Sequence, residues 1–260
     1  MKKVALFLAI LMVAMAFAGC GAEAETSKVA AIKEAGQLVL GTSADYPPYE
    51  FHKMVEGEDK IVGFDIMIAQ KIADEMGVEL VIKDMAFDGL IAALQGGKVD
   101  MVIAGMSAKP EREEVVDFTN EYYFETQTIL VKADKVDTYN SIEAFEGVKI
   151  GAQTATVQEG LAQDLLPNSP LTSLQDITAL ILELKTGKIE GLILVAPVAK
   201  AYITQNPELA MSIDLDQAKG VSIAVEEGSD LVDPVNEILA DIMGDGTLDQ
   251  YVMDATLMVD

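Results

Sequence analysis

The residues from Met85 to Thr119, MAFDGLIAALQGGKVDMVIAGMSAKPEREEVVDFT, constrain the fold more than any other stretch. An amphipathic helix from Phe87 to Leu94 ends at Gly96-Gly97, and a short buried strand, Val99 to Ala104, follows at once. A helix-period run that gives way to a strand-length apolar run is the unit of a parallel βα sheet. Open sheets of that kind bind ligands in the crevice beyond the carboxyl ends of their strands. Here the chain leaves the strand through Gly105-Met106-Ser107 and reaches Arg112. Ser107 offers a hydroxyl and a backbone N–H, and Arg112 a planar fork of donors. A carboxylate is met best by donors converging from two sides, two of them parallel. The alternative is that Arg112 is one more solvated charge in the run Lys109-Pro110-Glu111-Arg112-Glu113-Glu114.

The rest of the chain repeats the alternation. Lys28 to Ala35 reads as a short helix closed by Gly36, and Gln37 to Gly41 as an apolar strand. The strand empties into Thr42-Ser43-Ala44-Asp45-Tyr46-Pro47-Pro48-Tyr49, a turn stiffened by two prolines. Gly63-Phe64-Asp65 opens a helix with Phe64, Ile68, Ile72 and Met76 on one face, a core stripe, and Val78 to Ile82 is the next strand. Strands are expected at Thr126–Lys132, Val148–Ala152, Glu190–Val195 and Gly220–Val225. Helices are expected at Glu143–Gly147, Asp176–Gly187, from Pro197 to before Asn206, at Val232–Met243, and from Thr247 onward. Thr156 with Glu159, and Thr247 with Gln250, stand in capping-box spacing. Strand and helix in alternation mean an α/β chain with a largely parallel sheet.

Composition narrows the function. With 18 Lys+Arg against 43 Asp+Glu, a net charge of -25, the chain lacks the basic surface that nucleic acid or an anionic membrane face requires. The single histidine, His52, has no Cys or His partner, so no metal site and no cofactor are expected. The N-terminus is a targeting segment: Lys2-Lys3, then an apolar run from Val4 to Ala18 that is short for a membrane span. It ends in Phe17-Ala18-Gly19-Cys20, which resembles a lipoprotein signal, with Phe17 where Leu is usual. On that reading residues 1–19 are removed, Cys20 carries lipid on the outer face of the cell membrane, and 20–27 is a tether. The alternative is an ordinary secretory signal with an incidental Cys.

The pattern Phe-Asp-Gly-Leu-Ile-x-Ala-Leu-Gln-x-Gly-Lys-Val-Asp, then Ala-Gly-Met-Ser, Glu-Arg and Val-Asp-Phe-Thr, closely resembles the polar-amino-acid type (family 3) of solute-binding protein that feeds ABC importers. The resemblance runs from about Lys28 to the C-terminus. It implies a two-lobed, type II periplasmic-binding-protein fold with the ligand cleft between the lobes. Residues 28–125 with 220–260 would form lobe one, and 126–219 lobe two. It implies a monomer that captures a small carboxylate-bearing solute, an amino acid or a relative of one, for an ABC permease. Arg112, Ser107 and Thr156 would hold the carboxylate. Ser43, Ala104 and Thr154 would line the cleft, Tyr46 and Phe87 would pack on the ligand body, and Gly105 would offer its carbonyl to an ammonium. Tyr46 covering the strand ends, and Thr156 capping a helix and nothing more, are the plainer alternatives. Where the family carries Gly, this chain has Ala155.

One departure bears on the ligand. The family places an Asp or Glu two residues before the Pro that follows the apolar strand, where it pairs with the ligand's α-ammonium. That position is Val195, followed by Ala196, and Glu190 lies at the other end of the strand. Weak binding of ordinary α-amino acids is therefore expected, with a preference for a carboxylate whose body is apolar or lacks the ammonium; Asp45 is the main escape route, because its loop could turn a carboxylate into the cleft. Two other functions stay open at this stage: a sensory ligand-binding module, and an enzyme like cyclohexadienyl dehydratase, which shares the fold. The anchor is tested directly. Cys20→Ala should abolish incorporation of labelled fatty acid in cells, and absence of label in the native protein would rule the lipid out.

Overall fold

The fold is that of a computed structural model, which describes residues 27–259. The signal segment, Cys20 and the tether up to residue 26 lie outside the described residues. Ser27, assigned to the tether on sequence, belongs to the fold. Its Oγ accepts from the Ala30 N–H at 3.0 Å and caps helix α1 (Lys28–Ala35), which Gly36 closes with φ +71°.

The chain then runs through β1 (Gln37–Thr42) and a hairpin unit of β2 (Asp45–Tyr46), β3 (Glu50–Val55) and β4 (Glu58–Val62). Helix α2 (Phe64–Met76), β5 (Glu79–Asp84), a 3-10 turn over Phe87–Gly89, α3 (Leu90–Gln95) and β6 (Met101–Val102) follow. Next come α4 (Pro110–Glu113), β7 (Val116–Phe118) and the long β8 (Tyr123–Lys132). The order continues with β9 (Ile150–Gln153), α5 (Val157–Leu165), β10 (Leu171–Leu174), α6 (Ile177–Lys185), β11 (Gly191–Val195) and α7 (Ala196–Gln205). It closes with β12 (Leu209–Val221), β13 (Ala224–Glu226), α8 (Val232–Gly244) and α9 (Thr247–Leu257).

Two five-stranded sheets result, ordered β5-β1-β6-β13-β7 and β10-β9-β11-β8-β12, with β2-β3-β4 as a small third sheet. These sheets are the cores of two lobes. β1 pairs in parallel with β5 and β6, and β9 with β10 and β11, as βα alternation requires. The parallel expectation fails at the crossings. β8 is antiparallel to β11 and β12, and β13 is antiparallel to β6 and β7. These strands carry the chain between the sheets or back into the first, with no crossover helix to turn them parallel.

Other boundaries differ for local reasons. The strand expected over Gly220–Val225 is broken at Ser222-Ile223. Ser222 donates to Met106 O at 2.8 Å, and Ile223 exchanges hydrogen bonds with Thr119. These bonds turn the chain out of the second sheet and into the first. Of Val99–Ala104 only Met101–Val102 is paired as strand. The last helix is not capped by Thr247: Asp245 Oδ1 accepts from the Thr247 N–H at 2.9 Å, and Gly246, at φ +84°, takes the cap position.

One glycine fixes the hairpin to α2. Gly63 sits at φ +134°, and a Cβ there would lie 2.0 Å from Tyr49 O and 2.9 Å from Glu50 N. Neither contact is with a side chain that can move away. Gly63→Ala should cost on the order of 3 kcal/mol from overpacking and backbone strain together. Urea unfolding checks this, and an unchanged midpoint would mean that the hairpin is not held there.

Candidate ligand-binding cleft

The cleft lies where the loops after β1 and β6 face the loop after β9 and the end of β11. Its walls enclose about 490 Å³ of space between atoms, open solvent at the mouth included. Ser43, Tyr46, Phe87, Ala104, Gly105, Ser107, Arg112, Thr156 and Val195 all line it. Thr154 does not. Its N–H donates to Leu174 O at 2.9 Å, which holds it on the β10 side of the turn.

Arg112 is buried on α4, a single turn started by Pro110. Its Nη1 donates to Ser107 O at 2.6 Å, and its Nη2 to Ala155 O of the other lobe at 2.8 Å. The guanidinium carbon lies 5.2 Å from the centroid of the Phe87 ring, in cation–π range. Burial pushes the guanidinium down to about 10, which leaves it charged at neutral pH. Two of its five N–H groups are spent on carbonyls, and three meet no acceptor among the described residues. Lys109 also crosses the cleft, donating to Thr156 O at 2.7 Å. Burial, and then the Arg112 charge, lower its amine below the usual range.

On the facing wall Ala155 sits at φ +64°, a left-handed conformation that suits the family's Gly better than Ala. Thr156 caps α5: its Oγ accepts from the Glu159 N–H at 3.2 Å and donates to Gln153 O at 2.6 Å. Glu159 returns its carboxylate to the Ala155 N–H at 2.7 Å, one residue before the capping-box position. The Thr156 hydroxyl is thus already committed within its own turn.

Tyr46 packs against Gly105, where a Cβ would meet its ring at 3.0 Å. Gly105 N donates to Asp65 Oδ2 at 2.8 Å, and the Tyr122 hydroxyl donates to Asp65 Oδ1 at 2.8 Å. Val195 ends β11 as an apolar wall beside Gln127, which accepts from Gln158 Nε2 at 2.8 Å.

Sequence reasoning missed the acids. Asp45, considered only as a substitute for the absent acid, lines the cleft but is engaged across it. Its Oδ2 accepts from the Ile177 N–H at 2.7 Å and from Gln153 Nε2 at 3.3 Å. Burial raises its carboxyl to about 6. Glu50 carries no sequence signal of a cleft position. It is fully buried, lines the cleft, and neither carboxylate oxygen meets a donor among the described residues. Its neighbour is Asp65, itself an acceptor, so the pair is satisfied when Glu50 keeps its proton and donates to Asp65. Burial, and then the Asp65 charge, push Glu50 well above the carboxylate range, while burial raises Asp65 to about 6. In the sequence Glu50 is only an acid set between Tyr49 and Phe51 in an otherwise apolar run. His52 lies outside the cleft, 47% exposed between Asp59 and Asp84.

The signs work against stability at high pH. Between the ordinary aspartate value of 3.8 and about 6, the folded chain holds protons that the unfolded chain has released. Stability therefore falls as pH rises through that interval, and Glu50, raised further by burial, extends the fall upward. Glu50→Gln keeps the shape and can donate to Asp65 without a titrating proton. At pH about 8 it should exceed wild type by about 1–3 kcal/mol, with the gap closing below pH about 4. Urea titrations across pH check this, and equal slopes for the two proteins would place the effect elsewhere.

The sequence profile of the bacterial extracellular solute-binding proteins, family 3, matches residues 38–254. The arginine-binding extracellular protein ArtP of Bacillus subtilis is 33% identical, over 96% of this chain and 96% of that one. The crystal structure of AbpA, an amino acid ABC transporter substrate-binding protein from Streptococcus pneumoniae bound to L-arginine, superposes with a TM-score of 0.86. It is 37% identical and covers 88% of this chain and 98% of that one. The ancestral amino-acid-binding protein AncCDT-1, a precursor of cyclohexadienyl dehydratase, superposes with a TM-score of 0.81 at 32% identity, over 89% of this chain and all of that one. Two lobes, a cleft between them and a profile that spans nearly the whole described chain lead to one conclusion: the protein belongs to the bacterial extracellular solute-binding proteins, family 3.

Proposed function

We propose that the protein captures an amino acid or a related small carboxylate outside the cytoplasmic membrane and delivers it to an ABC permease, as a monomer anchored by lipid on Cys20. The observation that carries this reading is Arg112: a buried, charged guanidinium at the cleft with three N–H groups unspent. A carboxylate entering there is offered two parallel bonds and a desolvated positive charge. Ser107 supports the anchor through its carbonyl, and Thr156 holds the facing turn in place. Tyr46 and Phe87 provide the apolar faces for the ligand body.

Residues 28–125 with 220–260 would move as one body and 126–219 as the other, about β8 and β12, in the hinge closure such lobes use. Binding is favoured over catalysis by the state of the cleft's groups. No histidine lines it, and Asp45, an acid with a raised proton affinity, is held by Ile177 and Gln153.

Calorimetric titration against a panel of amino acids and carboxylic acids, including L-arginine, tests the reading. Arg112→Ala should weaken whichever carboxylate binds by at least about a hundredfold, roughly 3 kcal/mol, and leave the fold intact. Undiminished affinity in the variant would remove Arg112 from the site.

A further inference from the structure

Three elements of the second lobe converge on one residue of the first. The Ile177 N–H, at the start of α6, donates to Asp45 Oδ2 at 2.7 Å. Gln153 Nε2, at the end of β9, reaches the same oxygen at 3.3 Å, and the Tyr202 hydroxyl, from α7, donates to Asp45 O at 2.8 Å. Among the described residues, no other residue of the first lobe receives three bonds from the second; Lys109 makes two and Arg112 one. Asp45 is pinned from behind as well. Its own N–H donates to Ser43 O at 2.8 Å, and β2 pairs it with Phe51. A pull on Asp45 is therefore carried into the loop after β1 and into the hairpin.

Helix α6 shows what the contact supplies. The first N–H groups of a helix have no partner within it. One of them is capped from inside the second lobe: Asp176 Oδ1 accepts from the Ala179 N–H at 2.8 Å. The Ile177 N–H is capped from the first lobe, by Asp45. Parting the lobes leaves the Ala179 cap in place and removes the other. Burial, against the pull of the Ile177 bond, raises the Asp45 carboxyl to about 6. At neutral pH its charge thus opposes enclosure, and the hold comes from a well-placed acceptor.

We propose that Asp45 is the closure latch of the cleft: a positioning residue that completes the start of α6 and receives Tyr202 only when the lobes are together, and so sets how fully they close without holding the ligand. This assignment rests on the hinge closure proposed for the two lobes and takes nothing from Arg112 or from the identity of the ligand.

Amide exchange read by NMR at neutral pH, with small-angle scattering on the same samples and no ligand added, tests it. In the wild-type protein the Ile177 N–H should be protected. Asp45→Ala should speed its exchange by at least about tenfold, leave the Ala179 N–H within about twofold, and enlarge the radius of gyration. Asp45→Asn keeps an acceptor for Ile177 and Gln153 and turns its amide toward Ser43 Oγ, which lies 3.4 Å from Oδ1. It should remain protected and compact. Tyr202→Phe leaves the Ile177 bond untouched, yet a latch opens as one unit, so Ile177 exchange should quicken by at least about threefold. Ile177 exchanging as a free amide in the wild type, or still protected in Asp45→Ala, would overturn the proposal. Loss of Ile177 and Ala179 together would make Asp45 a support of α6 alone and overturn it too. So would Asp45→Asn exchanging as fast as Asp45→Ala, an unchanged scattering curve in Asp45→Ala, or a wild-type Ile177 rate in Tyr202→Phe. Titration of Arg112→Ala judges the carboxylate anchor separately, and its failure would alter none of these rates.

Discussion

A charged guanidinium out of water is costly without acceptors, and Arg112 finds two, one in each lobe. Arg112 is therefore the constraint around which both lobes are shaped. The first acceptor, Ser107 O, comes from its own loop, and a four-residue helix started by Pro110 is what brings Arg112 back over it. The second, Ala155 O, comes from the other lobe, and Ala155 presents it from a left-handed conformation. That conformation costs roughly 1–2 kcal/mol for a residue with a Cβ. It persists because the Glu159 carboxylate holds the Ala155 N–H and the Thr156 cap holds the turn that follows. The flat face of the cation is covered by Phe87, at the head of a 3-10 turn and not of the α-helix proper. None of the groups that touch the guanidinium carries a negative charge, and the acid that acts on it, Glu111, lies on its own helix.

A second buried charge does similar work within the first lobe. Asp65 lies in the first turn of α2, where the helix N-terminus favours a negative charge. Through Gly105 it holds the loop that leaves β6, and through Tyr122 it holds the chain as it enters β8. The loop that carries Ser107 and the strand that leads to the second lobe are thus tied to one carboxylate. Gly105 has to be glycine twice over: it sits at φ +52°, and the Tyr46 ring lies against the space a side chain would need.

Much of this is legible in the sequence, and the failures have physical causes. Helix α2 is plain because Phe64, Ile68 and Ile72 recur at helical period and are all fully buried. β1 and β11 are plain because they are continuous apolar runs closed by turn residues. Arg112 could be picked out because a Gly-Met-Ser exit from a strand is a recognisable place for it. The hairpin of β2, β3 and β4 is not legible in the same way: Glu50–Val55 and Glu58–Val62 are short, mostly polar and half exposed, so they carry no periodic signal. β12 over Leu209–Val221 is similar, with two irregularities in its register against β8 that break any alternation. Thr154 and Thr156 are the same residue type two positions apart. Only the direction of the turn, fixed by the Thr154 bond to Leu174, separates the one that faces the cleft from the one that does not. Glu50 was hidden for a different reason: an acid is expected at the surface, and only the fold shows it enclosed by tyrosines and a second acid.

The two lobes meet through bonds at both edges of the cleft, and most of these use main-chain groups. On one edge Arg112 and Lys109 donate to the carbonyls of Ala155 and Thr156. On the other, Asp45 accepts from the N–H of Ile177, one of the helix-start donors of α6 that have no partner within the helix. The Tyr202 hydroxyl donates to Asp45 O at 2.8 Å, and Gln175 Nε2 donates to Asp88 at 2.8 Å. Each such bond exchanges water for protein and nets only about 0.5–1.5 kcal/mol, somewhat more where a charge takes part. A handful of them contributes a few kcal/mol at most to the contact between the lobes. Substitution of Asp45 or Asp88 would remove acceptors at one edge, whereas the carbonyls of Ala155, Thr156 and Asp45 stay whatever the side chains are. The bonds between the lobes thus lie at the rim, while Val195 and Glu50 line the cleft and make none of them.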